Sequence, residues 1–132
     1  ARNDRGDALN KLKRYADAES DYRDALRILR MQLGPTNYKT AYPMHGLGEA
    51  RLGAGDARGA VRLLADALEL KSGHDPDVVA VADTQFLLAR ALVVAGDDRK
   101  RAVTLARQAR DVYGKNNFSQ KADAVAGWLA TL

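Results

Sequence analysis

Apolar residues recur along the chain at spacings of three and four, which is the period of one face of an α-helix. No segment alternates apolar and polar residues between turn signals, as a half-buried β-strand does. The pattern therefore predicts an all-α fold. The residues predicted to fill the seams between its helices are Tyr15, Tyr22, Leu26, Leu47, Leu64, Leu68, Leu88 and Leu92.

Glycine, proline and aspartate mark where the predicted helices begin and end. Gly73 ends the fourth helix, and Asp75 followed by Pro76 is typical of an N-cap and the first residue of the next helix. Pro43 lies inside the third helix and removes one backbone donor, so we expect a kink or a weak first turn there.

The predicted helices repeat with a period of 42 residues. A third copy follows with one extra residue in the turn at 96–99. Small residues at the matched positions allow paired helices to approach closely, and repetition of this kind is typical of a solenoid of stacked hairpins. The matched small residues are Gly6 with Gly48, Ala18 with Ala60, and Ala25 with Ala67.

We predict one domain, a right-handed α-solenoid of about three helical hairpins followed by a C-terminal capping helix. In the last helix Ala122, Val125, Trp128 and Leu129 form an apolar stripe that is suited to covering the end of the solenoid core. Because the first residues have the pattern of a helix interior and no Met begins the chain, we expect a fragment of a longer protein. The predicted units within 1–132 are a clipped first hairpin 1–34, a second hairpin 37–72, a third hairpin 76–114 and the capping helix 118–132.

Composition and charge narrow the classes of function. The chain has no Cys, which excludes disulfides and thiolate metal sites and is typical of a reducing cytoplasm, where we expect the protein to act. The apolar run Ala91–Ala95 is too short to span a bilayer, so no membrane partner is expected. The 21 basic and 17 acidic residues are interleaved rather than gathered on one face, so no nucleic-acid partner is expected either.

The repeat resembles the tetratricopeptide repeat signature, and the long period with the connector at 33–35 resembles the branch typified by kinesin light chain. Arg5 and Arg51 depart from the pattern, because the family usually has an apolar or aromatic residue at these places. The residues that carry the resemblance are Gly6, Leu9, Tyr15, Ala18, Tyr22 and Ala25.

The runs 41–50, 86–92, 106–110 and 128–130 resemble the C-terminal repeat region of large bacterial serine/threonine protein kinases. No glycine-rich loop, His-Arg-Asp or Asp-Phe-Gly is present, so this segment does not transfer phosphate. The resemblance implies a non-catalytic scaffold for protein–protein interaction, here the regulatory or interaction region of such a kinase.

The resemblance also implies a concave groove, lined by the first helix of each hairpin, that holds an extended peptide or a partner protein. The alternative is that its residues are ordinary solvated or inter-helix residues. Phe86 and Val93 lie two turns apart on a face away from Leu88 and Leu92, which favours the groove, although a helix buried on all sides has the same pattern. The groove residues transferred to this chain are Asn3, Asp7, Asn10, Lys11, Tyr42, His45, Glu49, Leu52, Asp83, Phe86, Arg90 and Val93.

No catalytic residue, cofactor or metal site is predicted. His45 and His74 are the only histidines, and neither has a nucleophile and an orienting group, or a cluster of metal ligands, at suitable spacing. Self-association is the second predicted function, because an open-ended solenoid with a truncated first hairpin can stack on a copy of itself. An enzyme is the class that the sequence favours least.

Overall fold

The fold is all-α, as the hydrophobic pattern predicts. The computed structural model describes residues 3–132, in which the regular elements are seven α-helices and one short 3₁₀ helix, Tyr38–Thr40. The helices are α1 (Asp4–Lys11), α2 (Tyr15–Leu33), α3 (Ala41–Gly53), α4 (Ala57–Lys71), α5 (Val78–Ala95), α6 (Arg99–Lys115) and α7 (Ser119–Ala130).

Each helix packs on the next one along the chain, which gives a stack of helical hairpins. The odd-numbered helices also touch across the stack, since α1 contacts α3 and α3 contacts α5. These three helices form an inner layer, and α2, α4 and α6 form an outer layer. This is the solenoid architecture that the repeat predicts.

Two clusters of buried side chains form the core and meet at α4. The N-terminal cluster is built around Tyr22 and Leu47. The C-terminal cluster is built around Leu88 and Val125. Because α4 contributes Leu64 to the C-terminal cluster and Ala67 to the N-terminal one, it joins the two halves of the molecule.

Glycines bring the inner helices close to the outer ones. A Cβ atom added at Gly48 on α3 would lie 2.5 Å from the side chain of Leu64 on α4, in agreement with the predicted close approach within a hairpin. A Cβ atom at Gly46 would lie even closer, 2.2 Å from the ring of Tyr22 on α2. Gly46 therefore sets the approach between consecutive hairpins, a role that the repeat alignment does not reveal.

The prediction that Asp75 caps α5 is wrong. The helix begins at Val78, and its N-cap is Asp77, whose Oδ1 accepts from the backbone N–H of Ala80 at 3.0 Å. Asp75 instead accepts from the Asp77 N–H at 2.9 Å and from the hydroxyl of Tyr42 at 2.6 Å. The second of these contacts holds the α4–α5 connection against α3.

Pro43 lies in the first turn of α3, directly after the 3₁₀ helix. Backbone N–H groups in the first turn have no intrahelical acceptor, so Pro43 removes a donor without breaking a bond of the helix.

The two arginines at unusual family positions form ion pairs. Arg5 pairs with Asp21 at 3.2 Å, and Arg51 pairs with Glu19 at 2.8 Å.

The helix α7 packs its apolar stripe on the C-terminal core cluster. Val125 is fully buried, and Trp128 packs edge-on against Phe86 with ring centroids 5.5 Å apart. Within residues 3–132, α5 is the one helix that is long and apolar enough to cross a membrane. It packs between α4 and α6 and buries eight of its residues, as a central helix of a solenoid does.

Candidate partner-binding groove

The inner helices α1, α3 and α5 enclose a concave groove of about 980 Å³, which is closed at one side by the 75–77 connection. Acidic side chains outnumber basic ones on its wall, where six carboxylates and three lysines lie, although the whole chain has a net charge of +4. The carboxylates belong to Asp4, Asp7, Glu49, Asp75, Asp77 and Asp83, and the lysines are Lys11, Lys39 and Lys71.

Seven of the twelve residues that the sequence transfers to the groove lie on its wall. They are Asn3, Asp7, Lys11, Tyr42, His45, Glu49 and Asp83. The structure thus brings together side chains from three helices that are far apart in the sequence, because the 42-residue repeat puts the same face of each inner helix on the same side of the stack.

The other five predicted residues lie outside the wall. Asn10 is buried behind it and donates from Nδ2 to the carbonyl of Gly46 at 3.2 Å. Arg90 lies 5.8 Å from the ring centroid of Phe86. Leu52, Phe86 and Val93 pack against the C-terminal core cluster. For Phe86 and Val93 the alternative interpretation, a helix enclosed by its neighbours, therefore describes the structure better.

Tyrosine hydroxyls on the outer helices hold two of the acidic side chains in position. Tyr22 on α2 donates to Asp7 on α1, and Tyr113 on α6 donates to Asp83 on α5. Burial, together with the neighbouring carboxylate, raises the pKa of both phenols. Each bond joins an outer helix to the inner helix of the same hairpin. The bond to Asp7 leaves the charge of that carboxylate in place, whereas Asp83 also forms an ion pair with Lys121 at 3.1 Å.

Lys71, at the end of α4, is a buried cation that the sequence analysis missed. Only 2% of the residue is exposed, and its Nζ donates to Thr84 Oγ1 at 2.9 Å and to the carbonyl of Ala80 at 3.3 Å. The ammonium group also lies 4.3 Å from the ring centroid of Tyr42. Burial lowers the pKa of Lys71. The available signal was its position seven residues after Leu64, on the buried stripe of α4.

His45 is held beside this lysine as a neutral imidazole. Its Nδ1 lies 2.9 Å from Thr84 Oγ1. Burial and the charge of Lys71 lower the pKa of His45 to about 4. Thr84 is completely buried, so its hydroxyl is not accessible as a nucleophile to the carbonyl group of a substrate. The contacts of His45 and Lys71 with Thr84 instead hold α3, α4 and α5 together.

Glu49 and Asp7 stand on neighbouring inner helices and both line the groove. Burial raises the pKa of Glu49, and the negative charge of Asp7 raises it further. The positive charges of Arg90 and Lys11 lower the pKa of Glu49. Within residues 3–132 no group of three or more His, Asp or Glu side chains is arranged to hold a metal ion.

The comparison with protein families agrees with the geometry. A family model described as Tetratricopeptide repeat matches residues 1–73, which is more than half of the 132-residue chain and covers α1 to α4. A search of curated proteins returns no match to the chain. The stack of helical hairpins, the small residues at their contacts and the family match lead to one assignment: the chain belongs to the tetratricopeptide repeat family.

Proposed function

We propose that the chain is a non-catalytic scaffold that binds an extended peptide or a partner protein in the groove of its inner helices. Tetratricopeptide repeats generally mediate protein–protein interaction, and their all-helical fold is typically non-catalytic. The observation that carries the proposal is the groove itself, a concave surface of about 980 Å³ with polar and aromatic side chains from three helices on its wall. Such a surface suits an extended chain, which is held by many separate contacts.

A substitution that fills the groove without changing its charge tests this proposal. Ala8 on α1 is exposed and lines the groove, whereas Ala126 on α7 is exposed and lies elsewhere. Ala8→Trp should abolish the crosslinking of a partner to the full-length parent protein, and Ala126→Trp should leave it unchanged. A partner that crosslinks equally to both variants does not use the groove, and the proposal then fails.

The proposal extends to the longer protein that contains this chain. In this proposal the chain belongs to the long-period branch of the tetratricopeptide repeat family and forms the C-terminal regulatory or interaction region of a cytoplasmic bacterial serine/threonine kinase. What supports it is the resemblance of the runs 41–50, 86–92, 106–110 and 128–130 to that region. The residues encoded before Ala1 test it directly. A kinase domain there agrees with the proposal, and a different domain there contradicts it.

Self-association is a second candidate function, favoured by exposed apolar side chains on the first hairpin. Leu12, directly after α1, and Met31 on α2 are 68% and 77% exposed, and Ile28 on α2 is also exposed. Light scattering over a range of concentrations tests this function. Association that is lost in Met31→Lys and retained in Val94→Lys, a position on α5 that is 67% exposed, agrees with this function, whereas a strict monomer contradicts it.

A further inference from the structure

The groove has the opposite charge to the protein around it. Its wall carries six carboxylates and three lysines, while the chain as a whole is basic. Asp83 forms an ion pair with Lys121 at 3.1 Å. The donors to three other wall carboxylates are neutral, since Tyr22 bonds to Asp7, Tyr42 bonds to Asp75 and the Ala80 N–H bonds to Asp77. Such bonds orient a carboxylate and leave its negative charge in place, so the groove attracts cations.

The negative charge has a focus at Asp7 and Glu49. Among residues 3–132, neither carboxylate forms an ion pair within 4.0 Å. Both groups are carboxylates on the wall of one groove, so they repel each other. Burial raises the pKa of Glu49, the charge of Asp7 raises it further, and Arg90 and Lys11 offset this only from a longer distance. A cation between the two carboxylates would relieve the repulsion.

A buried side-chain amide next to Asp7 and Glu49 has an oxygen atom that accepts no hydrogen bond. Asn10 is 5% exposed, and it lies one turn along α1 from Asp7 and beside Glu49 and Tyr22, whose pKa values it lowers. Its Nδ2 is bonded to the Gly46 carbonyl, but its Oδ1 accepts no hydrogen bond. Buried acceptors are rarely left unpartnered in folded proteins. The wall in front of Asn10 presents the carboxylate acceptors of Asp7 and Glu49, which suit a cationic, donor-rich group.

We propose that the groove is specific for a basic segment of a partner protein, whose arginine or lysine side chain binds between Asp7 and Glu49. This inference rests on the proposed function and adds the chemistry of the occupant. The guanidinium group of arginine suits the site, because its several N–H donors can bond to two carboxylates from different helices. The net charge of the wall favours further basic residues along the same segment.

Fluorescence anisotropy with three labelled peptides tests the charge of the occupant. The probes are short peptides of alternating Arg and Ser, of alternating Glu and Ser, and of alternating Gly and Ser. The Arg-Ser peptide should bind, and added salt should weaken its binding, because the attraction is electrostatic. The other two should bind at least about tenfold more weakly, a loss typical of removing a charge-assisted hydrogen bond. Tighter binding of the Glu-Ser peptide, or no binding of the Arg-Ser peptide at any salt concentration, overturns the inference.

Variants at the focus test the position of the cation. Asp7→Asn with Glu49→Gln removes both charges and keeps an acceptor for the hydroxyl of Tyr22, so the fold should persist. It should weaken binding of the Arg-Ser peptide at least about tenfold. The matched control, Asp24→Asn with Asp123→Asn, removes two exposed charges outside the groove and should change binding less than about twofold. Equal losses in both variants overturn the inference.

The outcomes separate this inference from the proposed function. Glu49→Gln alone is a second variant at an exposed position, and it should weaken Arg-Ser binding even if the double variant folds poorly. If a partner is lost with Ala8→Trp but kept with Glu49→Gln and with the double variant, the groove binds a partner of other chemistry. In that case the basic-segment inference is wrong and the proposed function stands.

Discussion

Gly46 and Gly114 are both helical, but they differ in what an added methyl group would meet. At Gly46 on α3 the new Cβ would lie 2.2 Å from the ring of Tyr22, whereas at the exposed Gly114 on α6 it would meet nothing within 4 Å. Gly46→Ala should lower the free energy of the unfolding transition that includes α1 and α2 by about 2–3 kcal/mol through overpacking. Gly114→Ala should raise the free energy of unfolding by roughly 0.5–1 kcal/mol, because alanine favours the helix.

Urea unfolding of the two variants beside the unsubstituted protein measures both effects. The comparison is matched, since the same methyl group is added to a helix in each case. If Gly46→Ala is as stable as Gly114→Ala, the close approach of α2 and α3 does not restrict the size of the side chain at position 46.

The imidazole of His45 should make the stability of the fold depend on pH. Its pKa in the folded state, about 4, lies below the ordinary value of 6.5. The neutral form is therefore favoured by folding, and the stabilisation is complete above about pH 6.5 and lost as the pH falls from there toward 4. Between pH 7 and pH 5 the free energy of unfolding should decrease by about 2 kcal/mol from this group.

The variant His45→Gln isolates this contribution, because Gln retains polar groups for Thr84 and does not take up a proton. Urea unfolding over the same pH range should give a smaller decrease for the variant than for the unsubstituted protein. The other ionisable groups are the same in both proteins, so their contributions largely cancel in the comparison. Parallel pH curves for the two proteins would contradict the assignment.

At the scale of the elements, the contact between α4 and α5 contains a cation with no carboxylate partner. Within residues 3–132 Lys71 forms no ion pair, and its hydrogen bonds go to the neutral groups of Thr84 and Ala80. Burying a charge in this way costs free energy that hydrogen bonds only partly offset. Lys71→Met should therefore leave the free energy of unfolding unchanged or raise it by about 1 kcal/mol.

Leu64→Ala, on the same face of α4, is the control for an apolar contact. Leu64 is fully buried, so its truncation should lower the free energy of unfolding by about 2–5 kcal/mol. Urea unfolding of both variants measures the contrast. A loss in Lys71→Met as large as that in Leu64→Ala would mean that the ammonium group itself stabilises the contact.

The helices were predictable from the sequence where the deciding contacts are local. Glycines and the spacing of apolar residues determine the hairpins, and both signals lie within a few residues of the element that they mark. The start of α5 was not predictable, because Asp75 and Asp77 are equally suitable caps. Tyr42, 33 residues away, decides between them by donating to Asp75.

The groove follows the same rule. The repeat period predicts which face of each inner helix points to the same side, and Asp7, His45 and Glu49 accordingly lie on one wall. Phe86 shares that periodicity but is covered by Trp128, a contact that depends on how α7 packs. The burial of Lys71 was not predicted from the sequence, because its position in the helix indicates an exposed side chain. A lysine in the last turn of a helix is usually solvated, and only the packing of α5 buries it.

At the scale of the whole molecule, the solenoid has two core clusters joined through α4. In such a stack each hairpin is stabilised by its neighbours, so the loss of one contact can unfold one end of the molecule while the other end stays folded. The first hairpin is in contact mainly with α3 and the 3₁₀ helix. Trp128, the single tryptophan, lies at the other end and reports on the packing of α7.

Gly46→Ala should therefore separate the unfolding of the two ends. Because α1 and α2 hold 8 and 19 helical residues, a minor part of the circular dichroism signal should be lost first, at lower urea than the change in Trp128 fluorescence. In the unsubstituted protein and in Leu64→Ala, the two signals should change together, since α4 belongs to both clusters. If Gly46→Ala shifts both signals equally, the clusters unfold as one unit, and a disturbance of the α2–α3 contact reaches the capping helix.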